Sequence, residues 1–202
     1  MKTLLIIDVQ NDFVPGGLLP VAGGDKIVPI INAIQHKFDL VLATQDWHPE
    51  DHVSFASNHK GRSAFDEIEI QGKPQTLWPN HCVQGTKGAE FHPYLDTLAC
   101  EAIFRKGMDR DIDSYSAFYD NGHLKSTGLT GYLKEKGITK LYLCGLAADI
   151  CVYYSIIDAF KAGFDCYFIE DASQALDDER FKKLKKEMIS MGIQVVSSET
   201  IL

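Results

Sequence analysis

The chain has 202 residues, of which 45% are hydrophobic and 24% charged, a composition that excludes a disordered chain and can build one large core. Its 20 basic and 28 acidic residues give a net charge of −8, which argues against nucleic acid or an anionic membrane surface as a partner. No apolar stretch approaches the ~20 residues of a membrane span, and the first apolar run ends at an acid and is too short for a signal peptide. The five cysteines include no C-x-x-C pair, which predicts reduced thiols and a cytoplasmic protein.

Six short apolar runs, rich in branched residues, predict strands that are buried on both faces: residues 3–7, 40–44, 102–104, 141–144, 166–169 and 194–196. Segments with helical periodicity and capping signals lie between them: residues 25–36, 126–136, 149–162 and 177–191. Strands that alternate with helices form parallel sheets with helices on both faces. The sequence therefore predicts one α/β domain over residues 1–202, in which a central, mostly parallel six-stranded sheet lies between two helical layers.

The segment from residue 46 to about residue 100 does not follow this alternation. It contains four of the seven prolines and five of the seven histidines. A long irregular segment inside a compact domain is usually functional. We therefore expect this segment to bind metal and substrate.

Four chemically active positions follow predicted strands. Asp8 follows the first strand, Asp46 the second and Lys106 the third, and residues 145–151 follow the fourth. Ligands of open parallel sheets bind beyond the carboxyl ends of the strands. We therefore expect these positions to converge on one site.

Cys151, Asp8 and Lys106 together provide a nucleophile, a base and an electrostatic stabiliser. Cys151 lies in the first turn of a predicted helix, where free N–H groups and the helix dipole lower the pKa of a thiol and can hold an oxyanion. Asp8 ends a buried strand, where desolvation raises the pKa of a carboxyl toward that of a general base. Taken singly, each residue has a structural alternative: a packed cysteine, a solvated aspartate and an exposed lysine.

Histidines in the irregular segment have the spacing of a metal site. The pattern D-x-H-x-x-x-H supplies Asp46, His48 and His52, and the pattern W-P-x-H adds His81. One carboxylate and three imidazoles suit a borderline divalent ion such as zinc, iron or manganese. No cysteine partners the set closely, which favours a site with open positions for water or substrate. The alternative is a group of loop histidines that bind only backbone atoms.

Four segments, in this order, resemble the nicotinamidases of the isochorismatase-like cysteine hydrolases: IDVQNDF at 7–13, DWHP at 46–49, WPNHCV at 78–83 and GLAADICV at 145–152. The two histidine patterns together distinguish the nicotinamidases from relatives that lack a metal site. The resemblance implies an isochorismatase-like fold and hydrolysis of nicotinamide to nicotinate and ammonia through a cysteine thioester. It also implies pyrazinamide as a further substrate and a role in recycling nicotinamide toward NAD.

The resemblance assigns roles to individual residues. It implies a catalytic triad of Asp8, Lys106 and Cys151, metal ligands at Asp46, His48, His52 and His81, and a substrate pocket formed by Phe13, Trp78, Tyr115 and Leu146. It implies an oxyanion hole made by the backbone N–H groups of Ala147 and Cys151, next to a cis peptide at Leu146–Ala147. The implied cofactor is one divalent ion, zinc in preference to iron or manganese.

Two other interpretations stay open at this stage. One is a hydrolase of the same superfamily that acts on a ureido or N-carbamoyl substrate, although the metal pattern argues against it. The other is a non-catalytic binding protein of this fold, although the complete triad argues against it. The sequence does not decide whether the chain forms a homo-oligomer.

Overall fold

The structure, a computed structural model, describes residues 1–70 and 72–202. The described residues form eight strands: β1 (Lys2–Ile7), β2 (Leu40–Asp46), β3 (Glu67–Ile70), β4 (Lys73–Thr76), β5 (Cys100–Lys106), β6 (Lys140–Leu146), β7 (Asp165–Gln174) and β8 (Gln194–Val196). Six of them make a parallel sheet in the order β5-β2-β1-β6-β7-β8. The predicted central sheet is therefore confirmed, and β1 and β6 lie at its middle.

The described residues form four α-helices: α1 (Ile27–Gln35), α2 (Leu129–Glu135), α3 (Tyr153–Lys161) and α4 (Asp178–Met191). Tyr142 pairs with Tyr167 in the sheet, so Phe168, the next residue, projects from the opposite face. Tyr142 contacts Phe38 just beyond α1, whereas Phe168 contacts Phe181 of α4. Helical layers thus cover both faces, as predicted. No helix among the described residues is long and apolar enough to cross a bilayer.

The helix ends follow the capping signals only in part. α4 agrees with the prediction because the Asp177 side chain accepts hydrogen bonds from two N–H groups of its first turn, and Gly192 with φ of 95° ends it. α1, α2 and α3 begin later than predicted, and the residue that precedes α2, Gly128, provides no side-chain cap. A 3-10 turn, Gly24–Lys26, precedes α1, and a π-helical turn, Ala148–Val152, precedes α3.

Strand β5 differs from the predicted buried strand. It is longer than residues 102–104, and Glu101, Ile103 and Arg105 are exposed while the residues between them are half-buried. β5 is an outer strand of the sheet, and its half-buried Phe104 packs against Tyr132 of α2. Only one face is covered, so the prediction of burial on both faces is wrong at this edge.

The irregular segment contains an antiparallel hairpin, β3–β4, which the sequence analysis does not predict. The first strand of the hairpin alternates glutamate with isoleucine and alternates in exposure, which is the period of a half-buried strand. Single strand-like pairings join His48 to Val83 and Phe55 to Trp78. These pairings hold the loops of the segment next to the carboxyl end of β2.

Candidate active site

Asp8, Lys106 and Cys151 meet beyond the carboxyl ends of β1, β5 and β6, as the parallel topology predicts. The Nζ atom of Lys106 lies 2.9 Å from Asp8 Oδ2 and 3.5 Å from Cys151 Sγ. All three side chains are buried, and Lys106 is only 2% exposed, so the alternative of an exposed lysine is wrong. The structure therefore brings a cation, an acid and a thiol into one buried group.

A sharp turn after β6 brings Cys151 to this point. Gly145 has φ of 124°, and a Cβ there would lie 2.1 Å from the carbonyl oxygen of Ile7, so only glycine lets the two strands approach this closely. The Leu146–Ala147 peptide is cis, as the resemblance implies. Cys151 then lies within the π-helical turn Ala148–Val152 rather than in the first turn of α3.

Burial has the largest effect on the pKa values of the three groups. It raises the pKa of the Cys151 thiol well above its usual value, and the nearby Lys106 charge offsets this only in part. It likewise raises the pKa of Asp8, as predicted, although Lys106 acts to lower it. Burial acts to lower the pKa of Lys106, but the charges of Asp46 and Asp8 raise it well above its usual value. The thiol is therefore protonated at rest and needs a base, and the prediction that its position lowers its pKa is wrong.

Asp46, His48 and His81 form a second buried cluster beside the triad. Asp46 Oδ2 lies 2.9 Å from His48 Nε2 and 3.6 Å from His81 Nε2. The Nδ1 atoms of the two histidines contact the carbonyl oxygens of Gly107 and Pro79 at 2.9 and 2.8 Å. Because a carbonyl oxygen only accepts hydrogen bonds, Nδ1 of each ring carries the hydrogen. Nε2 is then the nitrogen of each ring that can bind a cation.

His52 lies beside His48 but in a different group of three. The two rings are 4.2 Å apart, and the ligating atoms of His48, His52 and Asp113 lie within 4.8 Å of one another, as do those of Asp46, His48 and His81. Burial lowers the pKa of His52 to about 4, so its ring is neutral. Its Nε2 is buried and has no hydrogen-bond partner among residues 1–70 and 72–202, which fits a nitrogen that binds a metal. The predicted ligands appear as two groups that share His48, and His52 as a ligand stays a prediction.

Asp46 connects the triad to the histidines. Its Oδ1 atom lies 3.0 Å from Lys106 Nζ, while its Oδ2 atom faces His48. Burial acts to raise the pKa of Asp46, but His48 and Lys106 outweigh it and hold this pKa well below its usual range. Asp46 is therefore a permanently charged, buried carboxylate between the two clusters.

A cavity opens between the two clusters. Its lining includes three predicted aromatic residues together with site residues already described: Phe13, Trp78, Tyr115, Asp46, His81, Ala147 and Cys151. Trp78 Nε1 donates to Tyr115 Oη at 3.3 Å, and the two rings are nearly perpendicular, at 80°. Leu146 is fully buried and packs toward Gly24, so its place in the substrate pocket stays a prediction. The sequence analysis misses five further lining residues: Leu19, Val21, Asp113, Ile150 and Leu176.

The side chains of Gln10 and Asp12 fix the backbone around the site, a role that the sequence analysis also misses. Gln10 Nε2 donates to the Asp46 carbonyl oxygen, and Gln10 Oε1 accepts from the Asp46 N–H, both at 2.8 Å. Asp12 accepts from the N–H groups of Leu18 and Cys82, at 3.1 and 2.7 Å. Both residues lie in the motif at 7–13, but nothing in that motif identifies partners that lie up to 70 residues away.

Comparisons with known proteins establish the family. The family profile described as Isochorismatase domain matches residues 2–200. The nicotinamidase of Acinetobacter baylyi is 52% identical over 200 residues, which cover 98% of this chain and 94% of the relative. The chain therefore belongs to the isochorismatase family.

Two solved structures extend the comparison to nicotinamidases in particular. The nicotinamidase/pyrazinamidase of Acinetobacter baumanii has a TM-score of 0.96 and 46% identity, with 99% of this chain and 97% of that chain covered. The pyrazinamidase of Pyrococcus horikoshii in complex with zinc has a TM-score of 0.80 and 37% identity, with 96% of this chain and 98% of that chain covered. Together with the Asp/His clusters, the zinc complex supports a divalent metal in this site.

Proposed function

We propose that the chain hydrolyses nicotinamide to nicotinate and ammonia, with Cys151 as nucleophile, Asp8 as acid and base, and Lys106 as stabilising cation. The observation that carries this proposal is the contact of Lys106 Nζ with Asp8 Oδ2 at 2.9 Å and with Cys151 Sγ at 3.5 Å, at the edge of an aromatic cavity. The chain is an amide hydrolase of the nicotinamidase class, the class by which its relatives are named at up to 52% identity. The roles of the residues are what we propose.

Acylation begins with transfer of the thiol proton. Because burial keeps Cys151 protonated, Asp8 takes the proton as the sulfur attacks the carboxamide carbon. A carbon–sulfur bond forms, the carbonyl electrons move to oxygen, and the N–H groups of Ala147 and Cys151 hold the oxyanion. The oxyanion then re-forms the carbonyl and expels the amide nitrogen, which takes the proton from Asp8 and leaves as ammonia. Lys106 contacts both the Asp8 carboxylate and the sulfur of Cys151, and so stabilises negative charge when it is on either of them.

Deacylation uses the same base with water as the nucleophile. Asp8 takes a proton from water as its oxygen attacks the thioester carbon. The carbon–sulfur bond breaks, the sulfur of Cys151 takes the proton from Asp8, and the acid product loses its own proton to solvent as nicotinate. The protein returns to its starting protonation state, so one buried acid serves both half-reactions.

We propose zinc as the ion of this site, with iron and manganese as the alternatives. Asp46, His48 and His81 would hold it, with His52 as the fourth predicted ligand. When bound, the ion supplies a Lewis-acid site for the pyridine nitrogen. The Asp46 carboxylate and the imidazoles of His48 and His81, which are hydrogen-bonded to backbone carbonyl oxygens, would fix the position of that site relative to Cys151.

The aromatic walls select a flat ring. Phe13, Trp78 and Tyr115 line the cavity, and the rings of Trp78 and Tyr115 lie at 80° to each other. Such a lining favours an aromatic substrate that is stacked or packed edge to face. Pyrazinamide has a ring of the same shape, and we propose it as a second substrate. We also propose that the reaction recycles nicotinamide toward NAD.

Ammonia release from nicotinamide by the purified chain tests the function. Cys151→Ala is expected to abolish turnover and leave the fold intact, because it removes the nucleophile and little buried volume. Cys100→Ala is the matched control, since it removes a half-buried cysteine on outer strand β5, and it is expected to keep full activity. Rapid quenching of the wild type is expected to leave an acyl group on Cys151 that mass spectrometry detects. Full activity of Cys151→Ala would exclude this nucleophile, and release from an N-carbamoyl amide but not from nicotinamide would favour the alternative hydrolase.

A further inference from the structure

We propose that Asp113 is an additional carboxylate of the metal centre, which acts with His52 to set the affinity of the site for a divalent ion. This inference rests on the metal centre proposed above and adds a residue to it. Asp113 lies outside both histidine patterns, at the end of the run Asp109-Arg110-Asp111-Ile112-Asp113. Only the folded chain brings it to the histidines.

Asp113 is buried next to two histidines of the proposed metal centre. It is 3% exposed and lines the cavity between the triad and the histidines. Its carboxylate and one nitrogen each of His48 and His52 lie within 4.8 Å of one another. The Nε2 atom of His52 is fully buried and has no hydrogen-bond partner among the described residues. A buried, unpaired nitrogen costs free energy unless it binds something, and a cation next to a carboxylate satisfies it.

The two groups of potential ligands meet at His48, which is the residue that one ion shared by both groups would bind. They share His48, and its Nδ1 donates to the Gly107 carbonyl oxygen at 2.9 Å. Nδ1 is therefore occupied, and Nε2 is the nitrogen of His48 that is available to both groups. An ion shared by the two groups would bind at that nitrogen, with Asp46 and His81 as ligands and with Asp113 as a further ligand or as the acceptor of a hydrogen bond from its water.

Charge balance supports the same assignment. Three carboxylates are buried around the site, at Asp8, Asp46 and Asp113, each no more than 3% exposed. Lys106 contacts Asp8 and Asp46, and His48 also contacts Asp46, so Asp113 is the one of the three that contacts no cationic side chain among the described residues. Uncompensated buried charges are strongly destabilising. A divalent cation bound next to Asp113 would compensate this charge.

The hydrogen bonds of Asp113 hold it as a charged acceptor. Its Oδ1 accepts from the Ser114 N–H at 2.7 Å and its Oδ2 accepts from Gln75 Nε2 at 3.0 Å. Both partners are donors, so the carboxylate needs no proton of its own. Gln75 belongs to strand β4 and also lies 3.2 Å from Tyr115 Oη. The unpredicted hairpin therefore has a function here, because it positions a carboxylate next to His52.

The zinc affinity of Asp113→Asn, measured by competition with a chromophoric chelator, tests the proposal. We expect affinity at least about 10-fold below that of the wild type, the low end of the loss seen when partners of metal ligands are removed. Asp51→Asn is the matched control, because Asp51 is adjacent to His52 and carries the same charge on a side chain that is 65% exposed, and we expect its affinity to be unchanged. Asp113→Ser is a second variant that removes the carboxylate without facing an amide toward Gln75. Circular dichroism of the zinc-free proteins checks the fold.

The outcomes separate this inference from the proposed metal centre. Wild-type zinc affinity in either folded Asp113 variant would overturn the role of Asp113 while leaving Asp46, His48 and His81 as ligands. An equal loss in Asp51→Asn would also overturn it, because the effect would then be long-range charge alone. A wild-type protein that binds no zinc, iron or manganese would overturn the metal centre itself. Asp113→Glu keeps the charge and is expected to retain affinity within a few-fold.

Discussion

Replacement of Asp8 by asparagine removes the base from the triad while it preserves the shape of the site. Asp8 Oδ2 contacts Lys106 at 2.9 Å, and Oδ1 accepts from Thr44 Oγ1 at 2.6 Å. An asparagine side chain can keep the bond from Thr44 but cannot take a proton from the thiol. Lys106 retains its contacts with Asp46 and with the Ser114 carbonyl oxygen, both at 3.0 Å, so its charge stays compensated and we expect Asp8→Asn to fold.

The expected size of the fall in kcat follows from the protonation state of the Cys151 thiol. Burial raises the pKa of Cys151 well above its usual value, so almost no thiolate forms unless a base removes the proton. A positioned general base contributes about 10²–10⁴-fold in rate, which corresponds to about 3–5 kcal/mol of activation free energy. Because Asp8 serves both acylation and deacylation, we predict that kcat falls at least about 100-fold.

Steady-state ammonia release from nicotinamide, at equal zinc content, measures this effect. Thr44→Val is the matched control, because it removes a hydrogen bond to the same carboxylate but leaves the base, and we expect a loss of less than about 10-fold. Single-turnover quenching is expected to show no acyl group on Cys151 in Asp8→Asn, because the thiol is not activated. An Asp8→Asn protein that is folded, zinc-loaded and within about 10-fold of wild-type kcat would refute the assignment of Asp8 as the base.

Two further predictions concern stability. The pKa of His52 is lowered to about 4 by burial and is about 6.5 in an unfolded chain, so between these values the unfolded chain binds the extra proton. The free energy of unfolding of the zinc-free protein is therefore expected to fall by about 3 kcal/mol, because of this residue, as pH falls from 6.5 to 4. Urea titrations at several pH values should show that this contribution to the pH dependence of stability is absent in His52→Gln. Gln10→Leu is expected to lower the free energy of unfolding by about 3 kcal/mol, because it leaves the buried N–H and C=O of Asp46 without their partner. It should also weaken zinc binding, and an unchanged affinity in chelator competition would show that Asp46 keeps its place without Gln10.

The convergence of the three catalytic residues could be predicted because it depends on topology alone. Asp8, Lys106 and Cys151 each follow a strand, and the carboxyl ends of parallel strands share one edge of the sheet. The buried state of Lys106 could not be predicted in the same way. A lysine next to an arginine is usually exposed, and only the contacts with Asp8 and Asp46 make its burial favourable.

The pKa of Cys151 is raised rather than lowered, which reasoning from the local sequence around this residue does not predict. A helix N-terminus lowers the pKa of a thiol, but complete desolvation raises it, and the sequence does not reveal how deeply the turn is buried. In the fold, Ala148–Val152 is a π-helical turn in which every residue is buried. Burial therefore has the larger effect on the pKa of the thiol, which is why we propose Asp8 as the base that activates it.

The residues that the sequence analysis misses share one property, which is that their partners are distant in sequence. Asp113 and Gln75 are 38 residues apart when they form their hydrogen bond, and Gln10 and Asp46 are 36 apart. Spacing patterns identify neighbours on one loop, and the rings of His48 and His52, which one pattern pairs, do lie 4.2 Å apart. They cannot detect a carboxylate that a separate hairpin brings to the same ion.

One carboxylate makes the two clusters a single electrostatic unit. Asp46 contacts Lys106 through Oδ1 and His48 through Oδ2, so the charge that would hold a metal also stabilises the cation of the triad. Lys106 in turn lies between Asp46 and Asp8 and contacts Cys151. Because all of these groups are buried, their interactions are weakly screened by solvent. A change in charge at His48 therefore reaches the thiol through three successive contacts, with Asp46, with Lys106 and with Cys151. The affinity for metal and the protonation of Cys151 are thus expected to be linked by the same buried residues.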